Sequence, residues 1–244
     1  MKNVEDIYTL SPLQQGMLFH TLYAPESGVY VVQQDCLLQG ELNAEAFRET
    51  WRQVIARHAI LRTAFVWEGL REPHQVVRRG VELPWVEHDW RGLDEAERER
   101  LWRELRETER RTGFDLTRAP LLRLVLARTG EDRYRFLWTF HHILLDGWSG
   151  PLILGEVFTL YRALDAGRSP QLPKPRPYRD YIDWLHRQDL AEAERFWRRT
   201  LQGFTAPTPL ALAPPEFPAE QGVVGGAEEY EARCRACFQL RFEP

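Results

Sequence analysis

Of the seven histidines in the chain, His141 and His142 stand side by side, and Asp146 follows four residues after the second. The stretch 140–150 reads FHHILLDGWSG. An imidazole with an ordinary pKa of about 6.5 can accept or give a proton near neutrality. Gly147 lets the backbone approach a ligand closely. A histidine, a carboxylate and free backbone N–H groups near one point can move a proton and stabilise a developing oxyanion. Two histidines and an aspartate could also hold a metal ion. Neighbouring histidines on a strand diverge, however, so joint ligation of one ion is disfavoured. Cys234 and Cys237 form a C-x-x-C pair without further ligands at matching spacing, so no metal is expected there either.

The elements around this stretch fix what it can do. Residues 133–140 are rich in aromatic and branched types, as strands are. Successive strand residues face opposite sides, so one histidine faces a cleft and the other the core or a backbone partner. Ser149 reads as an N-cap and Pro151 suits the first turn of a helix over 151–166, stopped by Gly167. Residues 121–127 read as a strand that pairs with 133–140 through the turn at 129–132. His20, His58, His74, His88 and His186 lack any such context and read as structural or surface residues.

At the start of the chain, Ser11, Pro12 and Gln14 form a capping-box helix start, with the helix running to about residue 22. A turn at 25–28 leads to a strand over 29–38, in which Cys36 reads as buried. Asn43 caps a helix whose apolar residues Phe47, Trp51, Val54, Ile55 and Ala59 recur with the helical period. Residues 61–67 read as a strand with a hairpin partner at 74–77, and 83–88 as a further short strand. The charged segment 94–111, with a thin apolar stripe at Ala96, Leu101, Trp102 and Leu105, reads as a solvated outer helix. A proline-rich connector over 170–177 precedes helical residues 178–201, broken near Asp189. Residues 205–227 read as a linker rich in Pro, Ala and Gly. This irregular alternation predicts an α/β (α+β layered) fold with a mixed β-sheet flanked by helices.

The composition supports a sizeable core, with 43% hydrophobic and 12% aromatic residues. No apolar run reaches the roughly 18 residues of a membrane span, and no signal peptide is visible, so a soluble, cytoplasmic protein is expected. The net charge is −4 without a block of like charge, which argues against nucleic acid or a membrane surface as partner.

The stretch HHILLDG resembles the HHxxxDG signature of condensation domains of nonribosomal peptide synthetases, shared more loosely with chloramphenicol-acetyltransferase-like acyltransferases. Residues 11–19, SPLQQGMLF, resemble the family's first motif. Residues 57–65, RHAILRTAF, resemble the second, departing at Ala59 where the family usually has Glu. Residues 178–184, YRDYIDW, resemble the next. Four motifs in the family's order are far more specific than any one of them.

The resemblance implies a chloramphenicol-acetyltransferase-like lobe that forms an amide between a donor aminoacyl or peptidyl thioester and an acceptor amino acid. Both substrates would ride on the 4'-phosphopantetheine arms of peptidyl carrier protein domains, and the domain would need no cofactor of its own. The thioester is already activated, which fits a motif without a Ser or Cys nucleophile. By the same resemblance His142 handles the proton, His141 supports the fold, Asp146 pairs with Arg62 to brace the loop, and Gly147 offers its N–H to the oxyanion. Asp180 would lie beside the active-site helix.

The resemblance covers residues 6 to about 233. It implies an N-terminal lobe over 1–204, the linker over 205–227, and a truncated or frame-shifted start of a second lobe over 228–244. In a whole condensation domain the substrate tunnel runs between two lobes, so apolar surface meant for the second lobe is expected to be exposed. Other readings stay open at this point: a non-catalytic remnant, a carrier-docking module, or an epimerisation domain with the same histidine motif. A cyclising domain, which usually carries aspartates in place of the histidines, and a coenzyme-A-dependent acetyltransferase fit less well.

Overall fold

The computed structural model describes residues 3–169, 172–206 and 239–241. The fold is layered around a mixed five-stranded sheet ordered β5–β6–β7–β2–β8. Its strands are β2 (Val31–Gln39), β5 (Trp85–Asp89), β6 (Leu122–Arg128), β7 (Arg133–His141) and β8 (Gln239–Arg241). β7 runs antiparallel to both β2 and β6, whereas β5 joins β6 and β8 joins β2 in parallel.

β6 and β7 are buried on both faces, and alternation sends their side chains two ways. Phe136, Trp138 and Phe140 join the main core with Phe47, Trp51 and Val54 of α2 (Ala44–Arg57) and Val157 of α4 (Ser149–Asp165). Trp51 meets Trp138 edge-on, with ring centres 5.0 Å apart. Leu137, Val125 and Ala127 face the other way and pack with Trp90 and Trp102. Trp102 belongs to α3 (Glu95–Thr112), capped by Asp94. The charged segment is therefore more than a solvated outer helix. Its apolar stripe seals the second face of the sheet, and the buried Trp102 donates its indole N–H to Asp35 at 2.8 Å.

A second, three-stranded sheet is ordered β1–β4–β3, from β1 (Val4–Thr9), β3 (Thr63–Val66) and β4 (His74–Arg78), all antiparallel. The expected hairpin of β3 and β4 is present, although β3 begins two residues late because Ala59–Arg62 form a 3-10 turn. β1 carries no sequence signal of its own strength; only Tyr8 among its residues is buried. α1 (Pro12–Tyr23) begins with the expected capping box. The helical stretch 178–201 is split into α5 (Tyr178–Leu185) and α6 (Leu190–Thr200), with Asp189 capping the second. Every residue of α6 is exposed. Cys36 is buried. Cys234, Cys237 and residues 207–227 of the expected linker lie outside the described residues. So does most of the expected second-lobe start, of which 239–241 form β8.

Candidate active site

His141 ends β7, and the chain turns away from the sheet immediately after it. The His141 N–H donates to the Leu121 carbonyl and the His142 N–H to the Tyr30 carbonyl, so neighbours on both sides grip the strand end. The turn closes with the Leu144 N–H on the His141 carbonyl at 3.1 Å. Ile143, Leu144 and Leu145 are buried in the main core, whereas Asp146, Gly147 and Trp148 emerge into solvent. Three consecutive apolar side chains thus anchor a loop whose two ends carry the chemistry.

The two histidines have opposite surroundings: His141 ends the strand, and His142 opens the turn that follows it. His141 is 2% exposed. Its Nδ1 accepts the Ile143 N–H at 3.1 Å, so in the neutral ring the proton sits on Nε2. Nε2 lies 3.1 Å from the Thr21 hydroxyl, which in turn donates to the Met17 carbonyl at 2.8 Å. Burial, with a smaller contribution from the neighbouring His142, pushes the His141 pKa down to about 4. His141 is therefore a neutral, saturated core residue at neutral pH.

His142 is half-buried, and its Nδ1 lies 2.6 Å from the Leu145 carbonyl oxygen. A carbonyl can only accept, so Nδ1 carries the proton and Nε2 presents its lone pair. No described residue bonds to that Nε2. Its ring stands edge-on to Tyr30, 6.5 Å between centres. The pair is thus split into one imidazole bonded at both nitrogens and one bonded only through Nδ1 among the described residues.

The carboxylate does something different from what the sequence suggested. Asp146 Oδ1 accepts the Ser149 N–H at 2.8 Å and the Ser149 hydroxyl at 2.6 Å. These bonds, led by the hydroxyl, hold its carboxyl below the usual range. Asp146 thus caps the first N–H of α4 from two residues before the N-cap position, Trp148, whose own side chain makes no capping bond; Ser149, expected as the N-cap, is the first helical residue. The expected Arg62–Asp146 pair is not formed. Arg62 is buried and donates to Glu5 at 2.8 Å, to the Ile55 carbonyl at 3.2 Å and to the Arg78 carbonyl. The small sheet draws the arginine in because β1 and β4 supply its acceptors, while Asp146 finds donors within its own loop.

Gly147 is exposed, its φ is not in the left-handed region, and a Cβ there would meet nothing within 4 Å. Neither packing nor backbone conformation of this chain demands a glycine at that position. Asp180 is exposed on α5, which packs through Ile182 and Tyr178 against Tyr8 of β1 and Val77 of β4. Tyr178 reaches the start of α1 instead, with its hydroxyl 3.3 Å from Ser11 Oγ.

Three contributors escaped the sequence reading: Thr21, which holds His141; Tyr30, whose carbonyl holds His142; and Gln14, whose side-chain N–H donates to the Ile143 carbonyl at 3.1 Å. Only Gln14 carried a signal, since it stands in the same motif as the capping Ser11. Around the loop, Trp148 is 85% exposed and Leu152 is 72% exposed. Leu13, Phe19 and Tyr23 project from α1.

A mixed sheet covered by helices on both faces, with a half-buried imidazole just past a strand end and an exposed helix start beside it, fits a chloramphenicol-acetyltransferase-like lobe. The solved starter condensation domain of rhizomide synthetase superimposes with a TM-score of 0.71 at 22% identity, over 80% of this chain and 50% of that one. The first condensation domain of the calcium-dependent antibiotic synthetase gives 0.72 at 20% identity, over 86% and 52%. The chain belongs to the condensation-domain family, which it matches over residues 4–233. It is 47% identical over 211 residues to a linear gramicidin synthase of Brevibacillus parabrevis, covering 86% of this chain and 4% of the synthase. It is 41% identical over 209 residues to bacitracin synthase 3 of Bacillus licheniformis, covering 86% and 3%. The chain thus spans about half of the solved domains and a few per cent of the synthases. Among the described residues no helix is long and apolar enough to cross a membrane.

Proposed function

We propose that this chain supplies the histidine wall of an amide-forming site in nonribosomal peptide synthesis. The observation that carries the reading is His142: one nitrogen fixed by the Leu145 carbonyl, the other directed outward as a lone pair. The acceptor's amine attacks the donor thioester carbonyl. The C–N bond forms, the C–S bond breaks, and the proton lost by nitrogen passes to His142 Nε2 and then to the departing thiolate. The thioester supplies the activation, so no covalent intermediate on the protein is needed. In this reading Gly147 offers its backbone N–H to the developing oxyanion. The substrates are carried on phosphopantetheine arms of carrier domains. The opposite wall comes from the half of the fold that this sequence does not span, which also covers the exposed side chains of α1, Trp148 and Leu152.

The test is amide formation between loaded donor and acceptor carriers, read by mass spectrometry of the product, with this chain joined to the second half. His142→Ala is expected to lower the rate by roughly 10²–10⁴-fold, the usual range for a positioned acid–base group, with an unchanged melting temperature. Amide formation at the unsubstituted rate would overturn the reading.

A further inference from the structure

We propose that Gln14 is a positioning residue for His142: its buried amide holds the turn that fixes which imidazole nitrogen carries the proton. The inference rests on the reading of His142 as the proton acceptor. Gln14 is 4% exposed and Gln75, its partner on β4, is fully buried. Gln14 Oε1 accepts the Ser11 N–H at 3.0 Å and the Gln75 side-chain N–H at 2.9 Å. Gln14 Nε2 donates to the Ile143 carbonyl and to Gln75 Oε1, each at 3.1 Å. All four bonding positions of the amide are thus filled. Gln75 Nε2 also donates to the Thr9 carbonyl at 3.0 Å, tying the pair to the end of β1.

The polarity of this network is dictated by backbone groups that cannot change role. Turning the Gln14 amide over would set oxygen against the Ile143 carbonyl and nitrogen against the Ser11 N–H. A capping box alone does not require glutamine, because glutamate serves equally at that position. What glutamine adds is a donor, and that donor reaches the Ile143 carbonyl, inside the turn that ends at Leu145. Ile143 is bound on both sides: its N–H to His141 Nδ1 and its carbonyl to Gln14. Displacement of that peptide moves the Leu145 carbonyl away from His142 Nδ1 and releases the tautomer. A buried network of this kind is rigid when satisfied and costly when half-satisfied.

The proposal is tested on the chain with nitrogen-15-labelled histidine. Gln14→Glu keeps volume and the capping box but removes the donor; Gln14→Met removes the donor without adding charge. Both are expected to lose the Nδ1–H form of His142, a change that the charge of Glu cannot account for in Met. Thr63→Val, which removes the hydrogen bond from another buried side chain to the Ala59 carbonyl, is the control for lost stability and is expected to leave His142 unchanged. An unchanged His142 tautomer in the folded Gln14 variants, or an equal change in Thr63→Val, would overturn the proposal. Should the variants fail to fold, the unsubstituted chain still decides: the Gln14 side-chain amide protons must exchange far more slowly than those of exposed Gln15, and equal exchange rates would refute the bond. Neither readout needs turnover, so failure of the amide-forming assay is separable from failure of this inference.

Discussion

The polar centre around Arg62 and the one around His142 are built on opposite plans. Arg62 is buried, and its guanidinium is held by groups that are already fixed: the Glu5 carboxylate and the Ile55 and Arg78 carbonyls. It fastens β1 to β4 and to the end of α2. His142 commits one nitrogen to the fold and leaves the other open. The same contrast recurs within the histidine pair, since both His141 nitrogens are occupied. Saturated contacts mark the groups that hold the fold. An oriented lone pair beside saturated neighbours marks the group that can react.

If Arg62 is purely structural, Arg62→Met removes the donors of two carbonyls and a carboxylate at once. We expect a loss of about 3–4 kcal/mol, read by denaturant unfolding, from unmet buried acceptors and a broken ion pair. A loss below about 1 kcal/mol would place Arg62 with ordinary surface arginines instead. His141 sharpens the contrast through pH. Its folded pKa, about 4, lies below the unfolded value of about 6.5, so the unfolded chain binds the extra proton first. Stability from this group is full above pH 6.5 and falls as pH drops toward 4, by about 3 kcal/mol. His141→Asn, which keeps an acceptor for the Ile143 N–H, is expected to flatten that part of the pH profile. An equally steep profile in the variant would assign the slope to other groups. Asp146→Ala should cost only about 1 kcal/mol, the usual value of an N-terminal helix cap, by thermal unfolding. Combined with Arg62→Met, its effect should add within about 0.5 kcal/mol, since the two side chains share no contact. A coupling several times larger would restore the pair that the sequence motifs suggested.

What was legible in the sequence was local. Ser11 and Gln14 announce their capping box by spacing, Asn43 and Asp94 stand at the starts of their helices, and aromatic alternation marks β7. His141 and His142 do diverge, one into the core and one half-buried, although His142 stands one residue past the end of the strand from which alternation was argued. What was not legible depends on contacts distant in the chain. The Glu5 partner of Arg62 is 57 residues away, and nothing local distinguishes it from Asp146. Trp102 looked like part of a thin stripe, yet it plugs the sheet and meets Asp35, 67 residues away. β1 gave no signal because its order comes from pairing with β4, not from its own alternation. Asp146 was misassigned for a related reason: a capping carboxylate and a braced carboxylate look alike until the donor is seen.

The account turns on the opposite protonation of two adjacent rings, and nitrogen-15 shifts of both imidazoles across a pH titration of the unsubstituted chain measure it directly. The predicted result is an Nδ1–H tautomer for the neutral His142 ring beside an Nε2–H tautomer at His141 that resists protonation until about pH 4. An Nε2–H tautomer at His142, or a His141 that titrates near the ordinary pKa of about 6.5, would contradict it.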